Sequence, residues 1–168
     1  MQIEIRDERP NDIAAIRDVH TRAFGQTLEA DIVDALRAHG AALGSLVACV
    51  EGHVAAHVLY SPASVGIGIT GAALGPMAVL PEYQRQGIGS RLIGSGNERI
   101  RHANVPFIVV VGHPEYYPRF GFRPASRHGL TCEWDVPDPA FMVLVLDESK
   151  MREVSGQVTY RREFSTIT

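Results

Sequence analysis

Nowhere in these 168 residues do lysine and arginine gather into a block, and the formal net charge is −3. Without a basic patch the chain lacks the electrostatic footprint of a nucleic-acid binder. Long apolar runs are missing too, and none approaches the ~18 residues that a membrane span needs. The opening MQIEIRDERP is polar and partly acidic, without the apolar centre of a secretory leader. Nucleic-acid and membrane partners are therefore not expected, and the expected location is cytoplasmic. Cysteine is scarce: Cys49 and Cys132 stand far apart and outside any metal spacing. Cys49 lies in an apolar run and reads as a small buried hydrophobe. Two free thiols suit a reducing compartment better than a disulfide does. The seven histidines are scattered, His53 and His57 are the one close pair, and no HExxH occurs, so no metal is expected. Internal repeats, long linkers and low-complexity tracts are absent as well.

What remains is an ordinary globular composition, 45% hydrophobic and 21% charged, in a length that suits one domain with a substantial core. Residues 2–6 alternate like a strand. Pro10 is suited to the first turn of an amphipathic helix over 10–24, closed by Gly25. Thr27 is placed to cap a second helix that carries Glu29 and Asp31 in its first turn, and Gly40 stops it. Residues 46–50 and 54–60 read as a hairpin, broken by Ser61-Pro62. A glycine-rich tip over 66–71 then leads into a fourth strand over 72–80. The helix expected over 87–102 contains Gly94 and Gly96, each worth ~1 kcal/mol less than alanine, so it either packs very closely there or is locally loose. Phe107–Val111 is a continuous apolar run, as in a strand buried on both faces. A short helix through Tyr116 and Tyr117 and a last clear strand over 140–146 follow, with weak alternation near Val158 and Tyr160 that suits an edge strand. The order β-α-α-β-β-β-α-β-α-β predicts an α/β (α+β) fold, with a mixed, mostly antiparallel central sheet flanked by helices.

One stretch carries most of the functional information. Met77 to Leu80 has strand character, Pro81 stops it, and Gln84-Arg85-Gln86-Gly87-Ile88-Gly89 opens onto the helix. The first amides of a helix have no intrahelical acceptor, and the helix dipole adds partial positive charge there. Glycines at 87 and 89 let a bulky phosphate approach the backbone. This is not a dinucleotide fingerprint, because Leu92 stands where the third glycine would be, and no Lys-Ser/Thr pair follows to make a Walker loop.

The pattern Gln84-x-x-Gly87-x-Gly89, with its lead-in Val79-Leu80-Pro81-Glu82-Tyr83, resembles the acyl-CoA pyrophosphate loop of the GNAT N-acetyltransferase superfamily. Phe107–Val111 followed by Tyr117-Pro118-Arg119-Phe120-Gly121-Phe122 is similar to the superfamily's strand and Tyr-x-x-x-Gly-Phe segment. The wording of 112–122 and of the strand at Ala140-Phe141-Met142 resembles the YhbS-like subgroup of N-acetyltransferases. The likeness runs over about residues 3–146 of a single 1–168 domain, leaving 147–168 as a C-terminal extension.

The resemblance implies acetyl transfer from acetyl-CoA, as cosubstrate, to a primary amine that attacks directly while both substrates are bound. It implies that Met77-Ala78-Val79 offers backbone to pantetheine, chiefly through Met77 and Val79, with an amide near Val79 polarising the thioester. Gln84 and the amides of Arg85, Gln86, Gly87, Ile88, Gly89 and Ser90 would hold the pyrophosphate, and His113 would lie near the thioester. Tyr117 falls on the tyrosine that protonates the departing thiolate. Many members carry a glutamate base on the fourth strand, yet Gly75–Leu80 has no ionisable residue, so Glu29, His57 or water stay open as the base. That gap keeps a second reading alive, a catalytically silent acyl-CoA sensor or scaffold. A different phosphate binder is a third. The acceptor is left as a small-molecule or peptide amine, and the superfamily's habits allow a homodimer.

Overall fold

The computed structural model describes residues 1–167, so the expected domain and its C-terminal extension end at Thr168, outside the described residues. Strand β1 (Ile3–Asp7) leads through a 3-10 turn at Pro10–Asp12 into α1 (Ile13–Phe24). The turn is fixed by Asp12, whose carboxylate accepts the Arg9 amide at 2.7 Å and pairs with Arg6. Gly25, at φ 70°, ends α1 by taking the left-handed conformation. Next come α2 (Leu28–Ala38), β2 (Gly44–Val50), β3 (His53–Val65) and β4 (Ile69–Val79). Thr27 differs from the cap expected of it: its side chain makes no capping hydrogen bond, and its carbonyl simply accepts Asp31 N–H at 2.8 Å.

The chain continues as α3 (Ile88–Arg101), β5 (Phe107–Val111), β6 (Arg123–Pro124), β7 (Leu130–Cys132), β8 (Phe141–Val145), α4 (Glu148–Met151) and β9 (Gly156–Thr159). The helix expected at Tyr116-Tyr117 is a single 3-10 turn, Tyr117–Phe120. In α3 the two glycines behave differently. A side chain at Gly96 would fall on the Tyr60 ring, whereas Gly94 faces open space. The strands form one sheet in the order β1-β2-β3-β4-β5-β8-β6, antiparallel along that path except where β4 and β5 meet, and β9 joins β3 antiparallel and β7 parallel. One apolar cluster packs α1, α2 and the C-terminal segment on one face (Ile16, Leu36, Phe107, Val158), and a second packs α3 on the other (Tyr60, Ile88, Leu92, Phe122). This is the mixed, mostly antiparallel architecture expected. Cys49 is buried, and both cysteines are free. Among the described residues no helix is long and apolar enough to cross a membrane.

Ser61-Pro62 does not end β3, which runs on to Val65. The ladder with β2 stops at Tyr60 and the one with β9 begins at Ser64, so Pro62 falls in a gap where no N–H is needed on that side. The fourth strand accordingly starts early, at Ile69, with the turn at its glycine-rich tip.

Candidate active site

Strands β4 and β5 share only two residue pairs, Ala72 with Ile108 and Ala73 with Val109. Beyond them the strands part. At the same level the β3–β4 ladder skips register, pairing Val58 with Met77 but Tyr60 with Leu74, so β4 carries an extra residue and bends. A cleft of about 1330 Å³ opens between Leu74–Val79 on one lip and Val110–His113 on the other. That exceeds the ~300–1000 Å³ usual for one small ligand, which suits a site for two.

The β4 lip presents free backbone. Leu80 N–H bonds the Ala55 carbonyl at 2.8 Å, so by alternation Ala78 and Leu80 face β3, while Met77 and Val79 direct their amides to the open side. The Val79 carbonyl is already taken by Gln84 Nε2 at 2.9 Å, which leaves its N–H. Ala78 is therefore not at the cleft: its backbone is spent on β3 and its side chain packs with Val19 and Leu80.

At the foot of β4 the loop turns on two left-handed residues, Arg85 at φ 64° and Gly87 at φ 83°. Turns of this kind aim successive N–H groups into one concavity. Arg91 N–H is held by the Gly87 carbonyl at 3.1 Å, so the amides of Ile88, Gly89 and Ser90 precede the first intrahelical bond. A Cβ at Gly89 would stand 3.0 Å from Met77 Cε and 3.3 Å from Val79 Cγ2, so the backbone lies hard against the β4 lip. Gln86 reaches back to the Glu82 carbonyl at 3.1 Å, and the Ile88 side chain is core; neither lines the cleft, though the Ile88 amide belongs to the nest. Gln84, Arg85, Gly87, Gly89 and Ser90 do line it. Ser90 Oγ lies 2.8 Å from Tyr116 Oη, tying the loop to the far lip. Arg119, stacked 4.2 Å over the Tyr116 ring, adds a second cation beside Arg85.

Tyr117 and His113 line the opposite lip. Tyr117 is 9% exposed, and burial, with Tyr116 adding to it, pushes its phenol up to about 12. It is therefore protonated, and a donor, at neutral pH. Glu29 lines the cleft from the start of α2, its carboxylate accepting from Gln26 Nε2 at 3.1 Å.

His57 is elsewhere. It is fully buried, with Nδ1 2.8 Å from His20 Nε2 and Nε2 2.8 Å from Ser45 Oγ, beside Glu8. Burial lowers its pKa, outweighing the pull of Glu8, and keeps the ring neutral. His57 does not line the cleft, so the fold does not bring it to the other expected site residues. Ser45 and Arg37 complete the network by bonding Glu8 at 2.7 and 2.8 Å.

Part of the cleft lining comes from outside these motifs. Phe24 and Ile32 contribute from α1 and α2, and Trp134, Asp135, Tyr160 and Phe164 arrive from distant parts of the sequence. No local motif marks these residues; their one signal was the weak alternation around Val158 and Tyr160, which read only as a strand.

Comparison with known proteins agrees with this geometry. The pattern of the Acetyltransferase (GNAT) family matches residues 13–122. The uncharacterized N-acetyltransferase YhbS of Escherichia coli K12 is 33% identical over 163 residues, covering 96% of this chain and 98% of that one. The crystal structure of E. coli YhbS in complex with CoA superposes with a TM-score of 0.93 at 32% identity, over 98% of this chain and 93% of that one. A GNAT family acetyltransferase from Brucella melitensis, solved in complex with acetyl-CoA, gives 0.81 at 36% identity, over 97% and 98%. From the loop, the splayed strands and these relatives together, the chain belongs to the GNAT acetyltransferase family.

Proposed function

We propose that this acetyltransferase seats acetyl-CoA in the cleft between β4 and β5 and passes the acetyl group to a primary amine held in the same cleft. The observation that carries the reading is the continuity of free backbone, from the outward amides of Met77 and Val79 into the nest at Arg85–Ser90. Pantetheine takes the place of a missing strand partner on β4, and the pyrophosphate rests on the nest beside Arg85 and Arg119. The YhbS and B. melitensis structures, solved with CoA and acetyl-CoA, support this seat.

The chemistry then follows from the residues present. An alkyl ammonium, with a pKa near ~10.4, must shed a proton before it can attack. Glu29, directly or through water, takes it. The amine nitrogen attacks the thioester carbon and the N–C bond forms, while the Val79 amide holds the developing oxyanion. The C–S bond breaks, sulfur leaves with its electron pair, and Tyr117 donates a proton to it. The nitrogen gives up its second proton to solvent, leaving an amide and free CoA. Holding both substrates in one cleft supplies much of the rate.

Gly87→Glu tests the seat, since it places a carboxylate and a strained left-handed residue in the nest. The variant should keep its circular dichroism spectrum and lose acetyl-CoA affinity by more than tenfold in calorimetry. Undiminished affinity would remove the loop from the donor site.

A further inference from the structure

The cleft lining carries charges of both signs. Arg85 belongs to the glycine loop and Arg119 stacks on Tyr116, which Ser90 ties to that loop, whereas the lining carboxylates, Glu29 and Asp135, come from α2 and from the segment after β7. The lining is also strongly aromatic. The Trp134 and Tyr160 rings meet edge-to-face at 4.6 Å and Tyr160 meets Phe164 at 5.3 Å, making one continuous wall. Phe24, 43% exposed and stacked on His20, also lines the cleft from α1.

Tyr160 adds an independent sign. It is 8% exposed, yet its hydroxyl has no hydrogen-bond partner among the described residues. Buried hydroxyls are nearly always paired, and an orphan calls for an explanation. The ring is not adrift, because Glu133 Oε1 accepts the Tyr160 backbone N–H at 2.7 Å. Burial raises the phenol's pKa, and Cys132, Glu133 and then Tyr117 add to it.

We propose that the part of the cleft lined by Trp134, Tyr160, Phe164, Glu29 and Asp135 is the acceptor subsite and that it takes a small primary amine carried on a flat apolar body, an arylalkylamine. Glu29 and Asp135 draw the ammonium in. The body packs against Trp134, Phe164 and Phe24, and an N–H of the amine donates to the Tyr160 hydroxyl. Cation–π attraction to the same wall favours the charged form on entry. A polyamine or free lysine meets the carboxylates equally well but has no flat surface to bury on the wall. The inference rests on the acetyl-transfer reading and gives it a substrate class.

The test is free-CoA release by the full chain with acetyl-CoA and four amines: 2-phenylethylamine, tryptamine, spermidine and lysine. The two aryl amines should show a kcat/KM at least tenfold above the others. Trp134→Leu should cut that value about tenfold for the aryl amines and by far less for spermidine. Tyr160→Phe should raise KM for the aryl amines several-fold with kcat within twofold, and the KM for acetyl-CoA should not move in either variant. Preference for spermidine or lysine overturns the proposal. So does an absence of turnover with all four amines while calorimetry shows acetyl-CoA bound. If acetyl-CoA itself does not bind, the transfer reading falls and takes the subsite with it.

Discussion

Tyr117 shows how far a single side chain could be placed from sequence. Its spacing from Gly121, together with the apolar strand before it, put it at the cleft, and there it lies. What spacing could not supply is the packing that holds it. The ring meets Tyr116 at 5.1 Å and Phe122 at 5.8 Å, both edge-to-face, and Gly112 leaves room that any side chain would fill. His57 is the opposite case. Its apolar neighbours Ala56 and Val58 mark it as buried, but alternation along a strand does not say which helix covers a position or what its side chain bonds there. Cross-strand pairing with Ala78 puts it on the α1 side, where His20 and Ser45 take both ring nitrogens. The two residues should therefore separate in kinetics. Tyr117→Phe should lower kcat by about a hundredfold, the low end of the range for a lost proton donor, with the KM for acetyl-CoA within twofold. Equal turnover in stopped-flow CoA release would take Tyr117 out of the mechanism.

Among the elements, the C-terminal segment was the least legible. The strand near Val158 was expected at an edge, but β9 instead joins β3 to β7 and swings Tyr160 and Phe164 over the cleft. Residues so far from the loop in sequence meet it only through long-range pairing, which local patterns do not encode. Phe164 is held by one carboxylate. Glu163 Oε2 lies 2.6 Å from His39 Nδ1 at the end of α2, and Arg161 pairs with the same group at 2.8 Å. The Arg161 hydrogen bond, opposed by burial and reinforced by His39, holds the Glu163 carboxyl near a pKa of about 2. Because the folded pKa is lowered, this contribution to stability is fully present above the unfolded value of ~4.3. It fades as pH falls from there towards about 2. Glu163→Ala should thus lower Tm at pH 7, and its gap to the parent should shrink by pH 3. At neutral pH the amine KM should rise while acetyl-CoA affinity holds. A gap that stays constant between pH 7 and pH 3 would deny Glu163 this role.

At the scale of the whole molecule the sheet is two pieces with a narrow join. Strands β1 to β4 lie on one side and β5, β8 and β6 on the other, and between β4 and β5 the ladder is two pairs long. The β-α-α-β-β-β-α-β order made the sheet predictable, because each element has a clear hydrophobic period; the depth of the opening depends on a bulge and on where a ladder stops. A ligand lying along the opening touches both lips and restores, in effect, the missing strand contact. It should then stabilise the fold as a whole rather than the loop alone. Ligand at a hundredfold excess over Kd adds about 2.7 kcal/mol, and in a chain of this size each kcal/mol moves Tm by roughly 2–4 °C. Acetyl-CoA at that excess should therefore raise Tm by about 5–10 °C in differential scanning calorimetry. Desulfo-CoA, which keeps the pyrophosphate and pantetheine, should do nearly as well, whereas 3′,5′-ADP, which reaches only the loop, should do much less. Equal shifts from 3′,5′-ADP and acetyl-CoA would mean that the strands' opening is not bridged, and the splay would lose its part in donor binding.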